Sequence, residues 1–171
     1  MSLNNLSLRL SGLGHQEDAL TAIQEAVEFR RKLAADQPAA FNPDLAMSLN
    51  NLSNCLSALG HQEDALTAIQ EAVEFRRKLA ADRPAAFNPI LAMSLNNLSL
   101  RLSDLGHQED ALTAIQEAVE LHQRLAADRP ARFNLYLAMS LDHLSKCLSD
   151  VDRLEDAGKA AQKAVVTRTC T

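Results

Sequence analysis

From Leu45 onward the chain sets leucine at Leu45, Leu49, Leu52, Leu56 and Leu59, with spacings of four, three, four and three residues. An α-helix advances about 100° per residue, so this rhythm puts all five side chains on one stripe of about four or five turns. Asn42, ahead of the stripe, is a good N-cap. Pro43 suits the first helical position because it has no amide to leave unpaired, and Asp44 complements the positive end of the helix dipole. The pattern predicts a helix, termed helix A, that starts at Asn42 and Pro43 and ends at Gly60, where a residue without a side chain eases the turn out of the helix.

A second apolar stripe follows in "HQEDALTAIQEAVEFRRKLAAD". Ala65, Leu66, Ile69, Ala72, Val73 and Leu79 share one face of a helix B. Glu63 and Asp64 stand in its first turn and Arg76, Arg77 and Lys78 near its last, the polarity that the dipole favours. Ala65 and Ala72 lie two turns apart on the same face, and such short side chains let an antiparallel neighbour approach closely. "RPAAFNP" is then expected to return the chain to the next helix A, with Phe87 plugging the space beneath the return.

The pair of stripes recurs. Met1, Met47, Met93 and Met139 are 46 residues apart, and Gly14, Gly60 and Gly106 keep the interval. Residues 1–46 and 47–92 differ at only five positions: Leu8/Asn54, Arg9/Cys55, Gly12/Ala58, Gln37/Arg83 and Asp44/Ile90. A fixed period in this range marks an α-solenoid, in which each repeat buries its apolar stripe against its neighbours. The expected organisation is a single all-α repeat domain over residues 1–171, built from repeats 1–46, 47–92 and 93–138 and a terminal, capping repeat 139–171. Arg9 and Arg101 alternate with Cys55 and Cys147 at one site, an alternation without a physical reason at this level.

The segment "SLNNLSNCLSALGHQEDALTAIQEAVEF" resembles a tetratricopeptide repeat. Leu49 stands where that motif has its large aromatic, and Leu52 and Ser53 where it has leucine followed by a small residue. Leu56 fills the next core site, Gly60 the turn between helices, and Ala65, Ile69 and Ala72 the alternating small and large series of helix B. The usual unit has about 34 residues, whereas this one has 46, the excess lengthening helix B and the return. Long units of this kind resemble those of kinesin light chains and of the C-terminal arrays of STAND-type NTPases. The resemblance covers essentially the whole chain. It implies a curved, right-handed solenoid of antiparallel helix pairs whose helix A row lines the inner surface.

On helix A the pole opposite the leucine stripe carries Met47, Asn50, Asn51, Asn54 and Ala58. The matching sites are Met1, Asn4, Asn5, Leu8 and Gly12 in the first repeat, Met93, Asn96, Asn97, Leu100 and Asp104 in the third, and Met139, Asp142, His143, Lys146 and Asp150 in the fourth. Asparagine is a poor residue for a helix interior. A row of carboxamides offers donors and acceptors to the main chain of a bound peptide; alternatively, duplication has copied a tolerated solvated residue four times. A thioether such as Met47 suits a surface that accepts several ligands. Chaperone adaptors of the resembled family hold a C-terminal carboxylate with basic residues at these inner sites, but only Lys146 is basic here, which speaks against such a clamp.

Composition narrows the rest. The chain is 47% apolar with a net charge of -5, enough for a core and without the basic patch that nucleic acid demands. No run nears the roughly 20 apolar residues of a membrane span, and no leader precedes the first repeat, so a cytoplasmic protein away from membranes is expected. Cys55, Cys147 and Cys170 are odd in number, widely spaced and expected to be reduced thiols. His15, His61 and His107 recur one repeat apart at a turn, too distant to share a metal. No nucleophile–histidine–acid spacing or phosphate loop is present, so neither an enzyme nor a cofactor or metal is expected.

In the last repeat Leu66 and Ile69 become Gly158 and Ala161, Glu74 and Phe75 become Val166 and Thr167, and Thr67 and Glu71 become Lys159 and Lys163. That smaller, largely more polar helix is expected to cap the array, whose natural end would lie there. The first repeat lacks the "FNPDLA" start and has no polar change on its outer flank, which makes Leu3, Leu6 and Leu10 a candidate self-association flank. The expected function is a non-catalytic scaffold binding a peptide or helix of a partner protein along Met47, Asn50, Asn51, Asn54, Met93, Asn96, Asn97, Asp142 and Lys146. The alternatives are a self-associating structural array and the C-terminal sensor array of a larger regulatory NTPase.

Overall fold

Every predicted stripe lies on a helix in the computed structural model, which describes residues 3–169. The readings of Met1 as a groove residue and of Cys170 as a reduced thiol lie outside the described residues. Within them are eight α-helices and no strand: α1 (Leu3–Gly12), α2 (Gln16–Asp36), α3 (Pro38–Ala58), α4 (Gln62–Asp82), α5 (Pro84–Asp104), α6 (Gln108–Asp128), α7 (Pro130–Asp150) and α8 (Leu154–Thr169). Odd-numbered helices are the A helices and even-numbered ones the B helices. The fold is an all-α stack of antiparallel pairs. It gathers into two compact units, an N-terminal half of residues 1–82 and a C-terminal half of residues 83–171.

Helix A begins earlier than its cap signature predicts. Pro38, Pro84 and Pro130 occupy the first turn, after Gln37, Arg83 and Arg129 as N-caps. The expected return "RPAAFNP" is therefore the opening of α5, and Phe87 is buried from within a helix rather than under a loop. Two Xaa-Pro steps compete to start the helix, and the upstream one wins because alanines follow it, the best helix formers. Pro43 is left inside α3, where it has no amide for the carbonyl of Ala39. In α7 the corresponding residue is Leu135, yet α7 starts at the same site and has the same 21 residues, so the first proline sets the start.

The A-to-B turn closes as the glycine predicts. In the second repeat the Gly60 amide donates to the Ser57 carbonyl at 3.0 Å and the His61 amide to the Leu56 carbonyl at 2.9 Å, the paired bonds of a Schellman ending. Gly60 has φ +82° there. The fourth repeat makes the same two bonds from Asp152 and Arg153, to Ser149 and Leu148, but with Asp152 at φ 59°.

Ile23, Ile69 and Ile115 of the B helices and Leu49, Leu95 and Leu141 of the A helices are fully buried. Ala65 and Ala72 are buried, as close helix approach requires, and Ala68, Ala80 and Arg76 join them while Leu66 and Leu79 are half-exposed. A serine helps three of the four pairs close. Ser7 donates to the Ala19 carbonyl at 2.8 Å, Ser99 to Ala111 at 2.8 Å and Ser145 to Ala157 at 2.8 Å. Ser53, the remaining copy, is buried without such a bond.

The same serines explain the alternating site. Cys55 Sγ lies 3.6 Å from Ser7 Oγ in the N-terminal half, and Cys147 Sγ lies 3.6 Å from Ser99 Oγ in the C-terminal half. In each half, then, the second A helix faces the first through a buried thiol, a small apolar group suited to a tight contact. The first A helix carries arginine at that position: Arg9 is exposed, and Arg101 pairs with Asp104 at 3.5 Å.

In α8 the positions that differ from the earlier repeats lie mostly at the surface. Ala161, the counterpart of buried Ile69, is exposed, and only Ala157, Ala160 and Ala164 are buried.

Candidate partner-binding face

The A helices present the predicted row with an unforeseen division of labour. In the N-terminal half Met47 is 40% exposed, Asn54 and Ala58 are exposed, and Asn50 and Asn51 are half-buried. In the C-terminal half Met93 (48%), Leu100, Met139 (58%), Asp142 and Lys146 are exposed, with Asn96, Asn97 and His143 half-buried.

The first asparagine of each pair is engaged inside the protein. Asn4, expected on the open face, is only 3% exposed and accepts from Ser48 Oγ at 3.2 Å. Asn50 accepts from Arg76 at 3.3 Å. Asn96 donates to the Ala92 carbonyl at 3.1 Å and to Ser140 Oγ at 2.9 Å. The second carboxamides, Asn51 and Asn97, are half-buried like Asn50 and Asn96, and Asn54 is exposed.

Helix B carries arginine or histidine at positions 30, 76, 122 and 168, and of these Arg76 reaches an inner asparagine directly, while Arg30 and His122 reach Ser48 and Ser140, the serines that Asn4 and Asn96 also bond. Arg30 donates to the Asp44 carbonyl at 3.0 Å and to Ser48 Oγ. Arg76 is buried, and burial pulls its guanidinium down to about 10. His122 Nδ1 shares a hydrogen bond with Ser140 Oγ at 2.8 Å. It is 2% exposed, and burial pulls it down to about 4, so it is neutral at pH 7. Arg168 pairs with Asp142, the acid that replaces asparagine in the fourth repeat. Reading Arg76 as a terminal dipole charge missed this role. It follows Ala72 by four residues and Val73 by three, and so shares their buried face, which is the signal that could have located it.

In the C-terminal half the row opens into a cavity of about 280 Å³, lined by Met93, Asn96, Asn97, Leu100, His122, Tyr136, Met139 and His143. The rings of His122 and Tyr136 stack at 6.1 Å and 18°. A smaller cavity of about 150 Å³ shares Met93, His122 and Tyr136 and adds Arg132, whose guanidinium lies 5.2 Å from the Phe133 ring. His143 is held below the usual histidine range first by burial and then by Lys146, with Asp150 and Asp104 opposing. On the flank expected to self-associate, Leu3 and Leu6 are exposed, whereas Leu10 packs against the core group Ala19, Ile23, Ala26 and Cys55. Among the described residues no cluster of three or more histidine, cysteine or carboxylate side chains could hold a metal, and no helix is long and apolar enough to cross a membrane.

The tetratricopeptide repeat family model matches residues 1–39, 45–84 and 91–130, well over half of the chain. No curated protein sequence matches it. Among solved structures, BtubC (BKLC) from P. vanneervenii is similar with a TM-score of 0.81 at 19% identity, over 98% of this chain and 62% of that one. The present chain thus spans under two thirds of that relative's length. A kinesin light chain-like protein of Podosopora anserina with nearly identical TPR-like repeats aligns over 99% of this chain and 75% of its own, with a TM-score of 0.76 and 16% identity. MamA aligns over 98% of this chain and 77% of its own, with a TM-score of 0.64 and 15% identity. At such identities the likeness is one of fold.

Proposed function

The chain belongs to the tetratricopeptide repeat family, and from that premise we propose that it binds a segment of a partner protein, extended or helical, along the inner row of its A helices. Repeats of this family serve generally as non-catalytic scaffolds for protein–protein contact. The observation that carries the finer reading is the recurrence, at the same place on A helices of both halves, of exposed methionines, followed in the second and third repeats by paired asparagines one turn along the same helix. Met47, Met93 and Met139 supply adaptable apolar contact. Asn51, Asn54 and Asn97 offer both donors and acceptors, which suits the main chain of a ligand more than any one side chain. The inner carboxamides Asn50 and Asn96 contribute by fixing the A helices in place. Asp142 and Lys146 bring opposite charges to the row, too little positive charge to clamp a terminal carboxylate or a nucleic acid backbone.

A selection from a random peptide display library, followed by affinity measurement, tests this reading. The triple variant Asn51→Ala, Asn54→Ala, Asn97→Ala should bind the selected peptides about tenfold or more weakly, about 1.4 kcal/mol, with helicity by circular dichroism unchanged. Failure to enrich any peptide, or equal affinity in the variant, overturns it.

A second reading is favoured by the exposure of Leu3 and Leu6, of which Leu3 borders a cavity of about 410 Å³ together with Phe29, Leu33 and Phe41. This flank would pair with another copy of the chain. Light scattering across a wide concentration range, on the wild type and on Leu3→Ser, Leu6→Ser, decides: a mass that grows only in the wild type supports it, and a constant monomer mass removes it.

A further inference from the structure

Because the repeats are near copies, the places where they diverge, and where those places meet, carry information. Where earlier repeats have Arg30 and Arg76 the third has His122; where they have Asp44 and Ile90 the fourth has Tyr136; and where they have Asn5, Asn51 and Asn97 the fourth has His143. Fourteen residues separate His122 from Tyr136 and seven separate Tyr136 from His143, yet all three line the 280 Å³ cavity. Divergence at three unrelated positions converges on one site.

The comparison with the N-terminal half shows what the exchange does. There Arg30 runs from helix B to the Asp44 carbonyl and the Ser48 hydroxyl, and with Asn4 and Asp44 it lines a cavity of about 410 Å³. His122 keeps the equivalent serine bond, to Ser140, with a shorter side chain whose ring lies flat against Tyr136. The thioethers of Met93 and Met139 line the cavity beside it. We propose that this cavity is an anchor pocket for one large uncharged apolar side chain of a partner protein, with His122 in its wall where the earlier repeats carry arginine.

The lining selects that chemistry. Met93, Met139, Leu100 and the Tyr136 ring give apolar walls, and thioethers contact aliphatic and aromatic groups alike. No acid or permanent cation lines the cavity, so a charged side chain would be desolvated without a partner. At the floor, His122 and Asn96 both already bond Ser140 Oγ. The mouth is open, since Met93 and Met139 are about half exposed. The inference rests on the reading of this row as the partner-binding face and names what that partner must present.

The test uses the full chain labelled at its methionine methyl groups, of which there are four. Met93 and Met139 report the pocket, and Met47, the same site in the other half, is the internal control. N-acetyl-leucinamide and N-acetyl-phenylalaninamide should shift the Met93 and Met139 signals saturably at millimolar concentration and leave Met47 in place. The lysine and glutamate counterparts should shift none of them. His122→Arg, which puts a permanent cation into the cavity wall while keeping a donor for Ser140, should weaken the response about tenfold or more. Should that variant lose its fold by circular dichroism, Met139→Lys at the exposed mouth replaces it, with Met93 as reporter and the same loss expected. Absence of saturable shifts, equal shifts at Met47, or an undiminished response in a folded variant overturns the proposal. If the probes fail while selected peptides still depend on Asn51, Asn54 and Asn97, the pocket falls and the face stands. If the probes bind and the peptides do not, the face falls, and with it the assignment of the pocket to a protein ligand.

Discussion

Acid should weaken this fold through His122 before most carboxylates begin to protonate. The ring is 2% exposed and burial holds it down to about 4, against 6.5 for a free histidine. Between these values the unfolded chain binds a proton that the folded chain refuses, so the histidine's contribution to stability is full above pH 6.5 and lost as pH falls toward 4. A gap of about two and a half pKa units, at about 1.4 kcal/mol each, corresponds to roughly 3 kcal/mol between pH 7 and pH 4, a large share of a typical domain's stability. His143, also held low, acts in the same direction. Comparison with His122→Gln isolates the one group, since glutamine retains a hydrogen-bonding partner for Ser140 and does not titrate. Urea unfolding at pH 7, 6, 5 and 4 should show the wild type losing about 3 kcal/mol more than this variant, and the His122 ring protons in NMR should stay unshifted down to about pH 5. Parallel pH curves for the two proteins, or a ring that titrates near 6.5, would refute the reasoning.

Three further changes probe the scaffold. Asp152→Gly places at φ 59° the residue that the other repeats use there and should stabilise by about 1 kcal/mol in urea unfolding. Pro43→Ala restores an amide for the Ala39 carbonyl inside α3 and should raise stability by about 1 to 2 kcal/mol, the roughly 3 kcal/mol cost of an interior proline being partly offset by the freer unfolded chain; an unchanged midpoint would mean that the helix opening is already relaxed there. Leu141→Ala, beneath Phe133, Leu137 and Ala164, should cost about 3 kcal/mol, read as a lowered thermal midpoint.

The helices were legible because their information is local. A leucine every three or four residues is visible without knowing what covers it, and Gly60 marks a turn that any left-handed ending would need. The start of helix A was ambiguous because Gln37-Pro38 and Asn42-Pro43 present the same signature, and only the alanines between them decide. Half of the site was hidden by polarity. Arg76, Ser48 and Ser140 are polar, and their burial depends on a neighbouring helix whose position a single-helix pattern does not contain. For the same reason the asparagine pair looked uniform, although its first member ties helices together. Arg9 and Cys55 could be told apart only once Ser7 stood opposite the thiol.

That thiol contact also gives each half a clock. Cys55 and Cys147 are free and buried, one in residues 1–82 and one in residues 83–171. A reagent that alkylates thiols can reach either sulfur only while the A helix carrying it has come away from the serine opposite. The rate at which each sulfur is modified is therefore the frequency with which its own half opens. A chain of near-identical repeats, whose other signals would overlap, thus carries two chemically addressable records of breathing, written by the residue at which its copies fail to match.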